Sequence, residues 1–183
     1  KINTLKSFGA EVIITPSGVE PDDPRSHYSV AREYAKRPNH FLTNQYHNPD
    51  NPKAHYETTG PEIWDQMDGK IDVFVGGAGT GGTISGIGKY LKEKNPNIKI
   101  VCGDPVGSIL YDVFYHGKPI DPIGKYEVEG IGEDMLPENV HFKTIDAFIK
   151  TEDKETFLKC RDILRTEGLF IGPSCAAALV AAI

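Results

Sequence analysis

Basic side chains are the scarce commodity in this chain of 183 residues: 20 lysines and arginines face 26 aspartates and glutamates, for a net charge of −6. Gripping a nucleic-acid backbone requires a basic stripe, so that class of partner is excluded. No apolar run approaches the roughly 20 residues that span a bilayer, and no signal-peptide pattern opens the chain. Cysteine is equally sparse. Cys102, Cys160 and Cys175 are an odd number without CxxC spacing, which excludes a disulfide framework. Free thiols in a cytoplasmic setting are the expectation. His47 and His55 flank Asn51 without metal-ligand spacing, so no metal site is expected. Internal repeats and low-complexity segments are also lacking.

What remains is a strand-helix alternation with short Gly/Pro punctuation. With 39% hydrophobic residues a packed core is available. A helix is expected over Lys1–Phe8, closed by Gly9, then a strand at Glu11–Thr15, a helix at Ser26–Lys36 and a short strand at Phe41–Gln45. Asn51-Pro52 offers an N-cap and an N1 proline. Pro61 forces a break or kink before Glu62–Met67, and Thr59 with Glu62 fits a capping box. The apolar strand Ile71–Val75 leads into a helix carrying Ile84, Ile87 and Leu91 at helical spacing. Lys99–Cys102 is the next strand, ending at Asp104. Lys154–Thr166 is a helix stopped by Gly168, followed by a strand at Leu169–Ile171. Continuous apolar strands joined through helices imply a parallel sheet covered on both faces, an α/β architecture.

The loop Gly76–Thr83 (GGAGTGGT) lies between a strand and a helix. Glycines let the backbone fold around an anion, the following helix presents its positive end, and Thr80 and Thr83 add hydroxyls. A phosphate group is the ligand this chemistry suits. Gly77, Gly79 and Gly82 also match the dinucleotide fingerprint, with Asp104 placed for a ribose. The loop alone leaves a nicotinamide cofactor and other phosphate compounds both open.

Longer motifs narrow the choice. Gln45–Ile63 (QYHNPDNPKAHYETTGPEI), together with Gly79–Thr83, resembles the fold-type II pyridoxal-phosphate (PLP) enzymes of the cysteine synthase and cystathionine β-synthase family. Asp104–Leu110 and Tyr126–Gly132 look more like the cystathionine β-synthase branch. The resemblance implies an incomplete three-layer, tryptophan-synthase-β-like parallel-sheet fold. Residues 1–53 would be the remainder of a small subdomain, and 54–183 part of the large phosphate-binding one.

It also implies roles. Gly79, Thr80, Gly81, Gly82 and Thr83 would hold the cofactor phosphate, and Ser174 the pyridine nitrogen; an N-cap is the plainer role for that serine. A neutral serine there leaves the ring a weaker electron sink, which suits β-elimination and replacement through an aminoacrylate. Gln45 would hold the substrate carboxylate, while Gly130 and Gly132 would line the entrance. The implied reaction joins serine to homocysteine, giving cystathionine; O-acetylserine with sulfide, giving cysteine, is the alternative. The partners would be small amino-acid substrates and a second copy in a homodimer. The Schiff-base lysine of the family would lie upstream of Lys1, because none of the 15 lysines sits in its Ser-x-Lys motif. This stretch is therefore expected to be inactive alone. Glu133 stands where tyrosine is common in relatives, and Ile171–Ala176 keeps the serine but lacks the small residues usual just after it.

Overall fold

The computed structural model describes residues 2–16, 19 and 22–183. The chain divides into two compact units, Lys1–Asn44 and Gln45–Ile183. Among its described residues the first holds two helices, α1 (Ile2–Ser7) and α2 (His27–Ala35). Gly9 after α1 takes φ +84°, a conformation only glycine adopts freely. Ser26 caps α2 by accepting the Ser29 amide at 3.1 Å, which satisfies one of the four orphan donors of a helix start.

Glu11–Thr15 and Phe41–Gln45 do not form strands. Apolar runs have the composition of strands, but a strand exists only when a neighbour takes its backbone hydrogen bonds. No ladder partner is present among the described residues, and Ile14 and Phe41 are 73% and 84% exposed. The expected strand at Leu169–Ile171 fails for the same reason, with Phe170 92% exposed.

The second unit is built on three parallel strands in the order β1 (Val73–Gly77), β2 (Lys99–Pro105), β3 (Ala147–Thr151). Cys102 of β2 pairs Gly76 of β1 on one side and Phe148 of β3 on the other. Helix α5 (Gly82–Lys94) covers one face and α8 (Pro173–Ala182) the other. The parity of β2 shows this: Gly88 of α5 abuts Ile100, whereas Ala177 and Ala181 of α8 abut Gly103. Side chains alternate between faces along a strand, so these contacts lie on opposite sides. The three-layer α/β class is therefore present.

Helix α5 is held by its apolar stripe. Ile84, Ile87 and Leu91 are buried in a core with Ile98, Ile100, Cys102, Leu110 and Phe148. Each such side chain contributes about 1.5–3 kcal/mol on burial. Helix α6 (Leu110–His116) and β3 were not expected from the sequence. The first is capped from a distance, as the buried Asp104 carboxylate accepts the Tyr111 amide at 2.9 Å. Helix α7 (Asp153–Glu167) ends at Gly168 with φ +69°, in agreement with its predicted stop.

Two local readings need correction. Asn51 is not an N-cap: α3 (Asp50–Glu57) starts from Pro49, and Asn51 sits inside its first turn. The break attributed to Pro61 falls earlier, at Thr58, since a proline ring obstructs the carbonyl four residues back, here Glu57. Helix α4 (Thr59–Gln66) thus contains Pro61 in its first turn, and the Thr59–Glu62 capping box is absent. Thr59 Oγ1 instead meets the His55 ring at 3.0 Å.

Ile87→Ala should destabilise the folded protein by about 2–5 kcal/mol, because its cavity would be sealed between α5 and the sheet. Chemical denaturation of the purified variant and parent measures this difference.

Candidate cofactor and substrate site

Strand β1 ends at Gly77, and the chain turns through Ala78–Gly81 into α5 at the carboxyl edge of the sheet, where α/β proteins bind ligands. Gly81 is the N-cap with φ +86°, and among the described residues no side chain caps the helix. The first-turn amides are thus left without intrahelical or capping partners and suit an anion. Close packing explains the glycines. A Cβ on Gly81 would strike Val140, one on Gly82 would overlap Asn51, and one on Gly79 would come 2.8 Å from the Gly130 carbonyl oxygen.

The threonines are braced from behind. Asn51 Nδ2 donates to Thr80 Oγ1 at 3.0 Å and to the Gln45 carbonyl at 2.8 Å. Because the Thr80 oxygen accepts there, its own proton remains available to an anion. His55 Nε2 lies 3.0 Å from Thr83 Oγ1, and its Nδ1 lies 3.0 Å from Thr59 Oγ1. With the proton on Nε2, His55 donates to Thr83 and leaves that hydroxyl's proton free as well. Asn139, buried, donates to the carbonyls of Gln45 at 2.9 Å and Asn48 at 3.1 Å. Ser85 fastens this segment to α5, donating to the Asn139 carbonyl at 2.7 Å and accepting the His141 amide at 2.8 Å.

The opposite wall is the irregular stretch 126–133. The Gly132 amide donates to the Ala78 carbonyl at 2.7 Å, and the Glu133 amide to Ser108 Oγ at 3.0 Å. Between cup and wall lies a cavity of about 670 Å³, lined by Gln45, Tyr46, Thr80, Gly130 and Glu133 among others. A volume of this order accommodates a small-molecule ligand. Gly130, with φ +91°, has open space where a side chain would be.

The structure thus brings together Gln45, Gly79, Thr80, Gly81, Thr83, Gly130 and Gly132 around one cavity. Gly82 lies beneath it, packed against Asn51. Ser174 is not in the lining. It occupies the second position of α8, and Gly172 is the N-cap, so Ser174 does not serve as an N-cap. One helical turn on, Ala177 packs with Val128 and Ile131 of the wall, which puts Ser174 on the helix face turned towards that wall. Asn51 and His55 were missed as supports of the cup. Their four-residue spacing, one helix face, was the available signal.

Asp104, the acid of the dinucleotide reading, is 0% exposed and committed to α6. A ribose cannot reach it, and the nicotinamide reading fails on that burial. Desolvation pushes its carboxyl up to about 6, against the Ser108 and Tyr111 hydrogen bonds that pull it down. Glu133 is pushed up to about 7, first by burial, then by neighbouring Asp134, with a Tyr46 hydrogen bond opposing.

Two outcomes follow. Between 3.8 and about 6 the folded chain holds an Asp104 proton that the unfolded chain has released, so this residue's contribution is present below 3.8 and lost as pH rises through 6. Asp104→Asn removes that loss, and its melting temperature relative to the parent should rise from pH 4 to pH 7. Gly81→Ala, strained at φ +86° and blocked by Val140, should weaken phosphate-cofactor affinity about tenfold or more, given the 1–3 kcal/mol cost of such backbone strain. Titration of the purified apoprotein with PLP reads it.

Comparison with known proteins gives the family. The family model described as pyridoxal-phosphate dependent enzyme matches residues 1–183. A cystathionine beta-synthase of Apis mellifera is 50% identical over 184 residues, covering all of this chain and 36% of that protein. A cysteine synthase of Buchnera aphidicola is 37% identical over 98% of this chain and 57% of its own length. The crystal structure of an O-acetylserine dependent cystathionine beta-synthase from Helicobacter pylori superposes with a TM-score of 0.86 at 35% identity, covering 99% of this chain and 56% of that one. The chain thus spans about a third of the cystathionine beta-synthase relative it matches. A glycine cup at an uncapped helix start, matched over its whole length by one family model, has one reading: the chain belongs to the pyridoxal-phosphate dependent enzyme family.

Proposed function

We propose that the whole protein catalyses β-replacement on serine, with homocysteine as the incoming thiol and cystathionine and water as products. The observation that carries this is the uncapped start of α5, opening on a cavity whose far side is the glycine-bearing wall 130–133. The relatives named cystathionine beta-synthase support it.

In this reading the first-turn amides of α5, with the hydroxyls of Thr80 and Thr83, hold the phosphate of PLP. The bound cofactor supplies an electron sink for the substrate's Cα. Asn51 and His55 keep the two threonine oxygens turned so that their protons point to the anion. Ser174 donates its hydroxyl proton to, or accepts one from, the ring nitrogen. Gln45, its backbone fixed by the Asn51 and Asn139 amides, orients the amino-acid carboxylate through its side-chain amide. Gly130 keeps the entrance free of a side chain, and Gly132 lines it with backbone packed against Pro105 and Tyr126. Among the described residues no lysine lines the cavity, so the amine that carries the cofactor and moves the α-proton comes from elsewhere in the protein.

A second reading, cysteine synthesis from O-acetylserine and sulfide, is favoured by the relative that bears that name. Purified protein is expected to carry the visible absorbance of PLP, and serine should alter that spectrum. Mass spectrometry should then find cystathionine when homocysteine is added. Cysteine formed faster from O-acetylserine and sulfide would select the second reading. A protein that takes up no PLP would refute both.

A further inference from the structure

The anion cup accounts for one side of the cavity and leaves the other side's charge unexplained. Glu133 closes the wall there. Its backbone is fixed at both ends, the amide donating to Ser108 Oγ at 3.0 Å and the carbonyl accepting the Ile109 amide at 2.9 Å. Its carboxylate reaches back over the cup: Oε1 lies 3.5 Å from where a Gly79 Cβ would stand. The Tyr46 side chain hydrogen-bonds to it. Ser108 is in turn tied to buried Asp104, so the carboxylate rests on a rigid support rather than a free loop.

Charge in the cavity is one-sided. Glu129 and Glu133 line it, and among the described lining residues there is no lysine, arginine or histidine. Burial with Asp134 and Asp104 nearby disfavours a lone negative charge on Glu133, and an arriving cation would relieve that strain. An anionic nucleophile would add to it. Gly130, open at its Cα, leaves the approach clear for a substrate larger than a diatomic ion.

We propose, building on the β-replacement reading above, that Glu133 is the specificity-determining residue for the second substrate: its carboxylate receives the ammonium of an amino-acid thiol. The same carboxylate disfavours hydrosulfide, an anion, at that place. The thiol's S–H proton goes to solvent or a base, its sulfur bonds to the substrate's Cβ, and the hydroxyl departs as water. Glu133 takes no part in those transfers. Its work is electrostatic positioning.

Two thiols of equal chain length isolate the interaction: homocysteine, and 4-mercaptobutyrate, which lacks the ammonium. With the holoenzyme and serine, kcat/KM for homocysteine should exceed that for 4-mercaptobutyrate. Glu133→Gln, nearly isosteric, should lower that ratio about tenfold or more, the loss expected for one charge-assisted contact. A ratio unchanged by the substitution overturns the proposal, because a general base or a structural support would affect both thiols alike. If neither thiol turns over, the proposed β-replacement on serine by an amino-acid thiol is refuted. Calorimetric binding then still decides Glu133: methionine should bind the holoprotein more tightly than 4-(methylthio)butyrate, and equal loss of both in Glu133→Gln overturns the assignment.

Discussion

The unpaired amides at the start of α5 are the constraint around which the second unit is arranged. A helix start without a capping side chain leaves donors that must find a partner in solvent or in a ligand. Here Gly81, at φ +86°, turns the chain so those donors face the cavity rather than the sheet. The apolar stripe of Ile84, Ile87 and Leu91 anchors the helix body, so the start cannot retreat. A rigid helix carries the positive end of its dipole to a fixed point.

Around that point the fold spends its polar side chains on support. Asn51 and His55 reach across from α3 to Thr80 and Thr83, and Asn139 holds the carbonyls of Gln45 and Asn48. Ser108 holds the opposite wall at the Glu133 amide, and Asp104 holds Ser108 and the start of α6. Buried polar groups are costly unless satisfied, and most of these are matched to backbone amides or carbonyls. Asp104 Oδ1 is an exception, buried without a hydrogen-bond partner, in keeping with a carboxyl whose proton is hard to remove. Precision at the site is thus obtained from groups that need never touch a ligand.

The two walls of the cavity differ in charge as well as in construction. Amides and hydroxyls form one side, and carboxylates stand on the other. Such a division places an electropositive helix start opposite carboxylates, without any arginine or lysine among the described lining residues.

The sequence by itself settled part of what depends on neighbours in the chain, though not the helix starts at Asn51 and Thr59. The helical spacing of Ile84, Ile87 and Leu91, the stop at Gly168 and the glycine turn between β1 and α5 are local patterns, and local sterics fix them. Tertiary structure decided what needs a partner from far along the chain. Glu11–Thr15 and Phe41–Gln45 have strand composition but no ladder neighbour, whereas Ala147–Thr151 becomes β3 because β2 offers its edge. Asn51 had the chemistry of a cap and became a brace, since Gly82 leaves room for it 31 residues away. Asp104 stood where a ribose acid belongs and was buried under α6. Backbone conformation is a short-range property; hydrogen-bond pairing and burial are not, and they set the difference.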